Sequence, residues 1–230
     1  MSEPLSPERV AELRRFSSPT IANAIETFDF RPRTAGFMSS QIRCLFPDLG
    51  PMVGYAYTAT CRARTAPPQE AAALRLNSWR ALEDIPAPRV MVIQDLDDPP
   101  GLGAYWGDVQ SNIHRSLGCG GAVTNGSVRD LDEVRALRFH FFAGSVSVSH
   151  AYVHLVEIGI PVEVGGLTVR PGDLLHGDQH GVIAVPVEVA GRIAEGVEKV
   201  DRVERQLISY CQSPGFSRQG LEDLYHRLRG

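Results

Sequence analysis

Apolar residues follow two different patterns along the chain. Short runs rich in valine, isoleucine and aromatic side chains are typical of strands, and they lie at residues 53–62, 89–96 and 121–124. Segments rich in alanine and leucine, or with apolar residues three and four positions apart, are typical of helices and lie at residues 69–82, 109–117 and 130–137. Because strands and helices alternate through this stretch, the pattern predicts a mixed α/β domain.

The N-terminal part predicts two helices and then a long connection. Ser6-Pro7-Glu8 places a capping serine before a proline at the first helical position, and Ser18-Pro19 repeats this arrangement. We therefore expect N-terminal helices over about residues 6–28. Residues 31–52 are rich in proline, glycine and arginine, which predicts an irregular connection.

The C-terminal part changes character after Val162. Turn signals recur every few residues there, which predicts a β-rich lobe of short strands. An apolar stripe then predicts a helix over about residues 187–211, followed by a polar tail. The sequence contains no internal repeat, low-complexity linker or clear boundary. We therefore predict one domain over residues 1–230, with its core at about 53–190.

Composition narrows the classes of function. The chain of 230 residues and 25.1 kDa has a net charge of −4 and a pI near 6.0, so it offers no basic field for nucleic acid. Its apolar runs are too short to span a bilayer. The polar N-terminal sequence and the four cysteines without CxxC spacing are typical of a cytoplasmic protein. We expect neither a nucleic-acid nor a membrane partner.

Lysine is almost absent from this sequence. Lys199 is the one lysine among 23 basic residues, and it lies off the apolar stripe of its helix, four residues after Glu195. This spacing predicts a solvated ion pair. A Schiff base needs a desolvated lysine and a P-loop needs GxxxxGK, so both chemistries are excluded. Chemistry on a carbonyl or phosphate must then use arginine, backbone amides or a metal.

The segment YWGDVQSNIHRSLGCGGAVTNGSVRD, from Tyr105 to Asp130, carries the strongest candidate chemistry. We predict that residues 125–129 form a turn between a strand and a helix, where free amides and the helix dipole favour anions. Arg129 can grip a carboxylate bidentately, and Asp130 offers a hard oxygen ligand for Mg²⁺ or Mn²⁺. The alternative is an ordinary helix-capping Asp beside a surface Arg.

The same segment resembles the signature of the RraA-like superfamily. Asp108, Arg129 and Asp130 match its D-x20-R-D pattern, and the run from Gly159 to Pro186, GIPVEVGGLTVRPGDLLHGDQHGVIAVP, is similar to its PGD and GV-VP landmarks. This superfamily includes metal-dependent class II 4-hydroxy-4-methyl-2-oxoglutarate/4-carboxy-4-hydroxy-2-oxoadipate aldolases and regulators of ribonuclease E. The resemblance covers roughly residues 53–190. It implies a swivelling β/β/α-type single domain that assembles as a homotrimer or homohexamer.

The resemblance also implies a role for each matched residue. Arg129 would bind the carboxylate of a small 2-oxo acid, and Asp130 would ligate Mg²⁺ or Mn²⁺. The helix start from Gly107 through Asp108 and Val109 to Gln110 would contact the same acid. Asp108 would orient the water that protonates the enolate. The implied reaction is a retro-aldol cleavage to pyruvate, with oxaloacetate decarboxylation as a side activity.

Three departures from the superfamily pattern leave the substrate open. Asn125-Gly126 stands where the superfamily has Asp-Gly, and His180 replaces an acid in the last conserved run. Between them lies the segment SHAYVH, with His150 and His154 four residues apart. A rival interpretation is a zinc site, because the sequence contains the HxxxH pairs His150/His154 and His176/His180. These histidines could equally line the substrate or subunit edge, or be hydrogen-bonded surface groups.

A second alternative is a non-catalytic, protein-binding regulator of an RNase. Its function would depend on an exposed surface, which the sequence does not define. It would leave Asp108, Arg129 and Asp130 free to vary, and the presence of all three favours an enzyme.

Overall fold

A computed structural model describes residues 3–229, with eight helices and eleven strands in that range. The helices are α1 (Pro7–Leu13), α2 (Ser18–Glu26), α3 (Ala71–Ala81), α4 (Asp108–Ser116), α5 (Leu131–Ala136), α6 (Val187–Ala190), α7 (Ile193–Cys211) and α8 (Arg218–Arg229). The strands are β1 (Arg43–Cys44), β2 (Met52–Arg62), β3 (Arg89–Asp95), β4 (Ala104–Trp106), β5 (Cys119–Val128), β6 (His140–Val146), β7 (His154–Ile158), β8 (Val162–Val164), β9 (Leu167–Val169), β10 (Leu174–Asp178) and β11 (Gly181–Ala184). The mixed α/β class predicted from the sequence is confirmed.

One large sheet organises the molecule. Its strand order is β1-β6-β5-β3-β2-β10-β11, with β4 beside β5 and β7 beside β2. Strands β2, β3, β5 and β6 run parallel, so their carboxyl ends meet at one edge. The segment 37–44 reaches both outer strands, because Phe37 bridges to Ile183 of β11 and Arg43–Cys44 pairs with β6. The sheet is therefore nearly closed into a barrel.

The central strands are buried on both faces, which explains why they read as continuous apolar runs. In β2, every residue from Met52 to Cys61 is buried and only Arg62 is exposed. Two apolar clusters share these strands. The larger one lies on the side of helices α1, α2 and α7. The smaller one is centred on Val92, Phe142 and Leu175 and fills the interior of the curved sheet.

The predicted turn at residues 125–129 is wrong, because β5 continues to Val128. The strand passes an irregularity between Thr124 and Ser127. There the Asn125 side chain replaces ladder bonds: its Oδ1 accepts from the Asp95 amide at 2.7 Å, and its Nδ2 donates to the Asp95 carbonyl at 3.0 Å. Asn-Gly is a common turn signal, but here the asparagine amide bridges two strands across a bulge.

The C-terminal region also differs from the prediction. The helix expected over 187–211 is interrupted between α6 and α7, and the expected polar tail forms α8. The predicted pair of Lys199 with Glu195 is not formed. Glu195 instead contacts the Arg192 Nε at 3.1 Å, and the Lys199 Nζ lies 5.7 Å from the centroid of the Phe28 ring. Arg192 is three residues before Glu195 and competes for the same carboxylate.

Other parts of the prediction hold with shifted boundaries. Ser6 caps α1 with a proline at its start, whereas Ser17 and not Ser18 caps α2. The irregular connection at 31–52 contains the short strand β1 and a 3-10 turn at Pro47–Leu49. Strands β4, β6 and β7 were not predicted. Across residues 3–229, none of the helices combines the length and apolar character needed to cross a membrane.

Candidate functional site

Two strand-to-helix turns lie side by side at one edge of the sheet. The first joins β4 to α4 and the second joins β5 to α5. Strand β4 pairs in parallel with β5, with Trp106 opposite Val128. The Arg129 amide donates to the Trp106 carbonyl at 2.9 Å, which fixes the second turn against the first. This pairing brings Gly107 and Asp130 together, although they are distant in sequence.

Asp130 caps a helix that belongs to the neighbouring turn. Its backbone is left-handed, with φ of 55°, and its Oδ2 accepts a hydrogen bond from the Asp108 amide at 2.9 Å. Gly107 stands at the N-cap of α4 and has no side chain to do this. The Arg129 Nε lies 3.5 Å from the same Oδ2. The guanidinium, the carboxylate and the α4 N-terminus therefore form one unit.

The space around residue 107 is too small for a side chain. Its φ of −159° is extended and suits any residue. A Cβ there, however, would lie 2.4 Å from the Asp130 Oδ2 and 3.1 Å from the Arg129 Cγ. The absence of a side chain at Gly107 thus allows both residues to approach the start of α4.

A cavity of about 370 Å³ opens beside this unit. Five of the six predicted site residues line it, namely Gly107, Val109, Gln110, Arg129 and Asp130. The sixth, Asp108, is not among the lining residues. Its Oδ1 accepts from the Asn112 Nδ2 at 2.7 Å. The wall is completed by Pro67, Arg75, Ala104, Tyr105, His150, Ala151, Tyr152 and Val153.

The residues present fit a divalent cation held through water. Asp130 uses Oδ2 for the helix cap, and among residues 3–229 its Oδ1 makes no hydrogen bond. The described part of the chain contains no group of three or more His, Cys, Asp and Glu residues that could hold a metal. A single carboxylate is nevertheless a usual protein contribution for Mg²⁺, which keeps several waters and binds substrate oxygens.

Arg75 is the charged cavity residue that sequence reasoning missed. It lies on α3, which packs against β7, and nothing in the local pattern of α3 distinguishes it from the exposed arginines nearby. It is half-buried and lines the same cavity as Arg129. Only the packing of α3 on the sheet brings it there, so no signal within its own segment could have identified it.

Of the two aromatic residues before Gly107, one lines the cavity and the other is core. Tyr105 lines the cavity, and burial raises the pKa of its hydroxyl, an effect that the Arg75 guanidinium opposes. Trp106 is only 1% exposed and packs against His114 with ring centroids 4.8 Å apart. Burial lowers the pKa of His114 to about 4, against the opposing effect of its hydrogen bond to the Gln110 carbonyl.

The first HxxxH pair is divided between two environments. His150 lines the cavity, as one alternative from the sequence expected, and its Nδ1 lies 2.6 Å from the Ala151 carbonyl. His154 is buried at the start of β7, with Nδ1 2.8 Å from the Tyr152 carbonyl. Neither residue lies on a helix, where i,i+4 histidines converge on zinc.

The second pair belongs to a separate polar cluster. The His176 Nδ1 lies 2.9 Å from the Ser18 Oγ, and its Nε2 lies 3.1 Å from the Phe16 carbonyl. Asp178 accepts from the Ser18 and His180 amides rather than from His176. The three residue types of a catalytic triad are present, but the Asp178 carboxylate contacts the His180 ring and not the His176 ring that meets Ser18, so the cluster lacks the triad's geometry.

These features define a mixed α/β protein with a nearly closed sheet and a guanidinium–carboxylate site on two adjacent turns. The family model RraA-like, described as Aldolase/RraA, matches residues 19–184. The chain belongs to this family, which confirms the resemblance drawn from Asp108, Arg129 and Asp130.

Several known proteins are similar to parts of the chain. It is 32% identical over 105 residues to Uncharacterized protein MJ0644 from Methanocaldococcus jannaschii, covering 45% of this chain and 50% of that protein. It is 35% identical over 84 residues to a Halalkalibacterium halodurans protein named "Putative 4-hydroxy-4-methyl-2-oxoglutarate aldolase", covering 36% and 40%. The matches thus span half or less of these relatives.

Solved structures extend the similarity to the whole fold. An uncharacterized protein from Pseudomonas syringae pv. tomato aligns with a TM-score of 0.74 at 20% identity, covering 99% of this chain and 97% of that one. Streptomyces coelicolor RraAS2, described as an unusual member of the RNase ES inhibitor RraA protein family, aligns with a TM-score of 0.68 at 26% identity, covering 89% and 98%. The RraA-like fold class is therefore confirmed.

Proposed function

We propose that this protein is a divalent-metal-dependent lyase that cleaves a 4-hydroxy-2-oxo acid into pyruvate and a second carbonyl compound. The observation that carries the proposal is the unit of Arg129, Asp130 and the α4 N-terminus on the wall of one cavity. Family membership and the similarity to the Halalkalibacterium protein named as an aldolase support it. Oxaloacetate decarboxylation is the expected side activity, because it passes through the same enolate.

Substrate binding would use two kinds of donor. The Arg129 guanidinium can donate two parallel hydrogen bonds to the substrate carboxylate. The Val109 and Gln110 amides, in the first turn of α4, have no hydrogen-bond acceptor among the described residues. They can donate to the oxygens of the 2-oxo acid while the helix dipole favours the negative charge.

Asp130 would hold a Mg²⁺ or Mn²⁺ ion through its Oδ1, because its Oδ2 already caps α4. When bound, such an ion polarises the C2 carbonyl as a Lewis acid. The Asp108 amide holds Asp130 by donating to Oδ2, and the arginine beside it contributes positive charge. The protein therefore orients the carboxylate and the substrate's C1 end with respect to each other before reaction.

Retro-aldol cleavage needs a proton removed and another returned. A water molecule would accept the proton of the C4 hydroxyl as the C3–C4 bond breaks, and the bonding electrons move into the pyruvate enolate. Arg129 stabilises the negative charge near the carboxylate end. Protonation at C3 then gives pyruvate. Our prediction for Asp108 is that its carboxylate orients the water that delivers this proton, from a position held by Asn112.

We also propose that the protein forms a homo-oligomer, either a trimer or a hexamer. Two cavity-lining residues leave much apolar surface uncovered in the single chain, with Val109 69% and Tyr152 60% exposed. Contiguous apolar surface beside a site is typical of an interaction surface. Covering these residues would also exclude water from the cavity, which strengthens its electrostatic interactions.

The second candidate function is that of a protein-binding regulator of an RNase. The observation in its favour is the similarity to RraAS2, which aligns over most of both chains. Such a protein needs an exposed surface but no metal-dependent turnover. The two candidates therefore differ in whether small 2-oxo acids bind at Arg129 and Asp130.

The test measures the release of pyruvate in an assay coupled to lactate dehydrogenase. The two substrates are 4-hydroxy-4-methyl-2-oxoglutarate and oxaloacetate. We expect turnover with Mg²⁺, loss of turnover with EDTA, and a decrease of at least about a thousandfold in Asp130→Ala. Asp132→Ala, which removes an exposed acid from the first turn of α5, is the matched control and should keep its activity. No turnover, and no thermal stabilisation by oxalate with Mg²⁺, would contradict the lyase and favour the regulator.

A further inference from the structure

We propose that Arg75 forms a second anion-binding subsite and makes the cavity selective for 2-oxo acids with a second carboxylate at their far end. This inference rests on the proposed function, since it takes the end of the cavity at Arg129 and Asp130 as the place of the 2-oxo acid group. It assigns to Arg75 a role in specificity rather than in the bond-breaking step.

The charge balance of the cavity wall is the first argument. The lining residues include two guanidinium groups, Arg75 and Arg129, and a single carboxylate, Asp130. Asp130 lies 3.5 Å from the Arg129 Nε, and its Oδ2 also caps α4. Among the described residues it forms no ion pair with Arg75. The excess of positive charge favours an anionic ligand, although the whole chain has a net charge of −4.

The lack of a partner for Arg75 is the second argument. Among residues 3–229 its guanidinium forms no ion pair and no hydrogen bond. Arg80, on the same helix but exposed, donates to the Asn77 Oδ1 at 3.1 Å. A half-buried guanidinium without a protein acceptor has donors free for a ligand that displaces water. The planar guanidinium matches a carboxylate bidentately, so a carboxylate is the chemistry that best satisfies it.

Two further polar groups in the same wall lack partners. The Tyr105 hydroxyl is buried without a hydrogen bond, in a residue only 6% exposed, and Arg75 is close enough to affect its pKa. The Gln110 Oε1 is likewise buried and unpaired. The described residues leave donors and acceptors unsatisfied on both the Arg75 and the Arg129 portions of the wall. A cavity of about 370 Å³ holds a longer acid than pyruvate, as two separate subsites require.

Binding of two matched acids tests the proposal. 2-Oxoglutarate and 2-oxopentanoate have the same five-carbon chain, and only the first carries the distal carboxylate. By calorimetry with Mg²⁺, we expect the wild-type protein to bind 2-oxoglutarate about 10- to 100-fold more tightly. Arg75→Met should remove this preference by weakening 2-oxoglutarate alone. Arg129→Met should weaken both acids.

Arg80→Met is the control, because it removes a guanidinium from the same helix outside the cavity and should keep the full preference. If Arg75→Met fails to fold, Arg75→Gln makes the same comparison with a polar side chain. Equal weakening of both acids by the Arg75 variants, or an unchanged preference, would overturn the assignment while leaving the lyase intact. A preference that depends on Arg75, without any pyruvate release, would support the subsite and contradict the lyase. Failure of both acids to bind would overturn both.

Discussion

Two aspartates perform the same structural task in different surroundings. Asp130 follows β5 and accepts a hydrogen bond from the Asp108 amide, the first residue of α4. Asp178 ends β10 and accepts one from the Ser18 amide, the first residue of α2, at 2.8 Å. Each carboxylate thus caps a helix from another part of the chain. Their partners, charge and exposure then diverge.

Asp178 is fully engaged. Its Oδ2 accepts a hydrogen bond from the Ser18 amide, and its Oδ1 accepts one from the His180 amide at 2.9 Å. Its side chain is 8% exposed. Burial alone would raise the pKa of Asp178, but the hydrogen bonds from Ser18 and His180 outweigh this and lower it. The Asp130 side chain, by contrast, is 33% exposed, borders the cavity and has one oxygen without a hydrogen bond among the described residues.

The comparison shows that capping by a distant carboxylate does not by itself indicate function. Both carboxylate oxygens of Asp178 accept hydrogen bonds from backbone amides, so this group stabilises the protein and has no oxygen left for a ligand. At Asp130 the cap uses one carboxylate oxygen, and the other makes no hydrogen bond among the described residues. Unsatisfied capacity beside Arg129, rather than the presence of an acid at a helix start, distinguishes the candidate site.

The largest effect on stability should come from removing Asp178. We expect Asp178→Ala to lower the free energy of unfolding at pH 7 by about 3 kcal/mol, because it leaves the buried Ser18 amide and the part-buried His180 amide without their charged acceptor. Asp130→Ala should lower it by only about 1 kcal/mol, the usual cost of a lost cap. Urea denaturation of the three proteins measures both values.

Binding of oxalate with Mg²⁺ should show the opposite order. Asp178→Ala should bind it as the wild-type protein does once folded, whereas Asp130→Ala should not. The lowered pKa of Asp178 adds a pH dependence: its contribution is full above the ordinary aspartate value of 3.8 and disappears as pH falls through the lower folded value. Equal losses of stability in the two variants would end the distinction drawn between the two aspartates.

Local sequence predicted the core of the candidate site well. Gly107, Arg129 and Asp130 each follow directly from a strand-to-helix turn, and such turns meet at one edge when the strands are parallel. Strand β4, which precedes the first turn, was not predicted, and the form of the second turn was mistaken. Asn125-Gly126 is a turn signal, and the cross-strand role of the Asn125 amide depends on its neighbour Asp95 in β3.

What the sequence could not predict depends on tertiary packing. Arg75 reaches the cavity because α3 packs against β7, a strand that was itself not predicted. Helix α8 was taken for a polar tail because it presents few apolar residues, yet Leu224 is only 8% exposed. In both cases the deciding contacts lie between elements far apart in the chain, where periodicity within one segment carries no information.

The next largest effect on stability should come from pH, through a buried histidine near each capped helix. These histidines are His114 on α4 and His176, which contacts Ser18 of α2. Burial lowers the pKa of both, that of His114 from 6.5 to about 4. The unfolded chain therefore binds more protons between these values, and stability falls as pH drops from 6.5 towards 4. For His114 we expect a loss of about 2 kcal/mol between pH 7 and 5. Urea denaturation at both pH values checks this, and His114→Phe should remove that share of the decrease. A decrease of the same size in the variant would show that His114 does not contribute.

The smallest expected effect is the most specific to the candidate site. In Gly107→Ala, the added methyl would meet the Asp130 Oδ2 at 2.4 Å, so the carboxylate must move away from the Asp108 amide. We expect oxalate binding with Mg²⁺ to weaken about tenfold, with a loss of only about 1 kcal/mol in stability, because one hydrogen bond is disturbed. Gly215→Ala is the control, since a Cβ at Gly215 meets no atom within 4 Å. Asp178 is untouched by either change, so a variant at Gly107 that lost stability without losing oxalate would mean that Asp130, like Asp178, is only a cap.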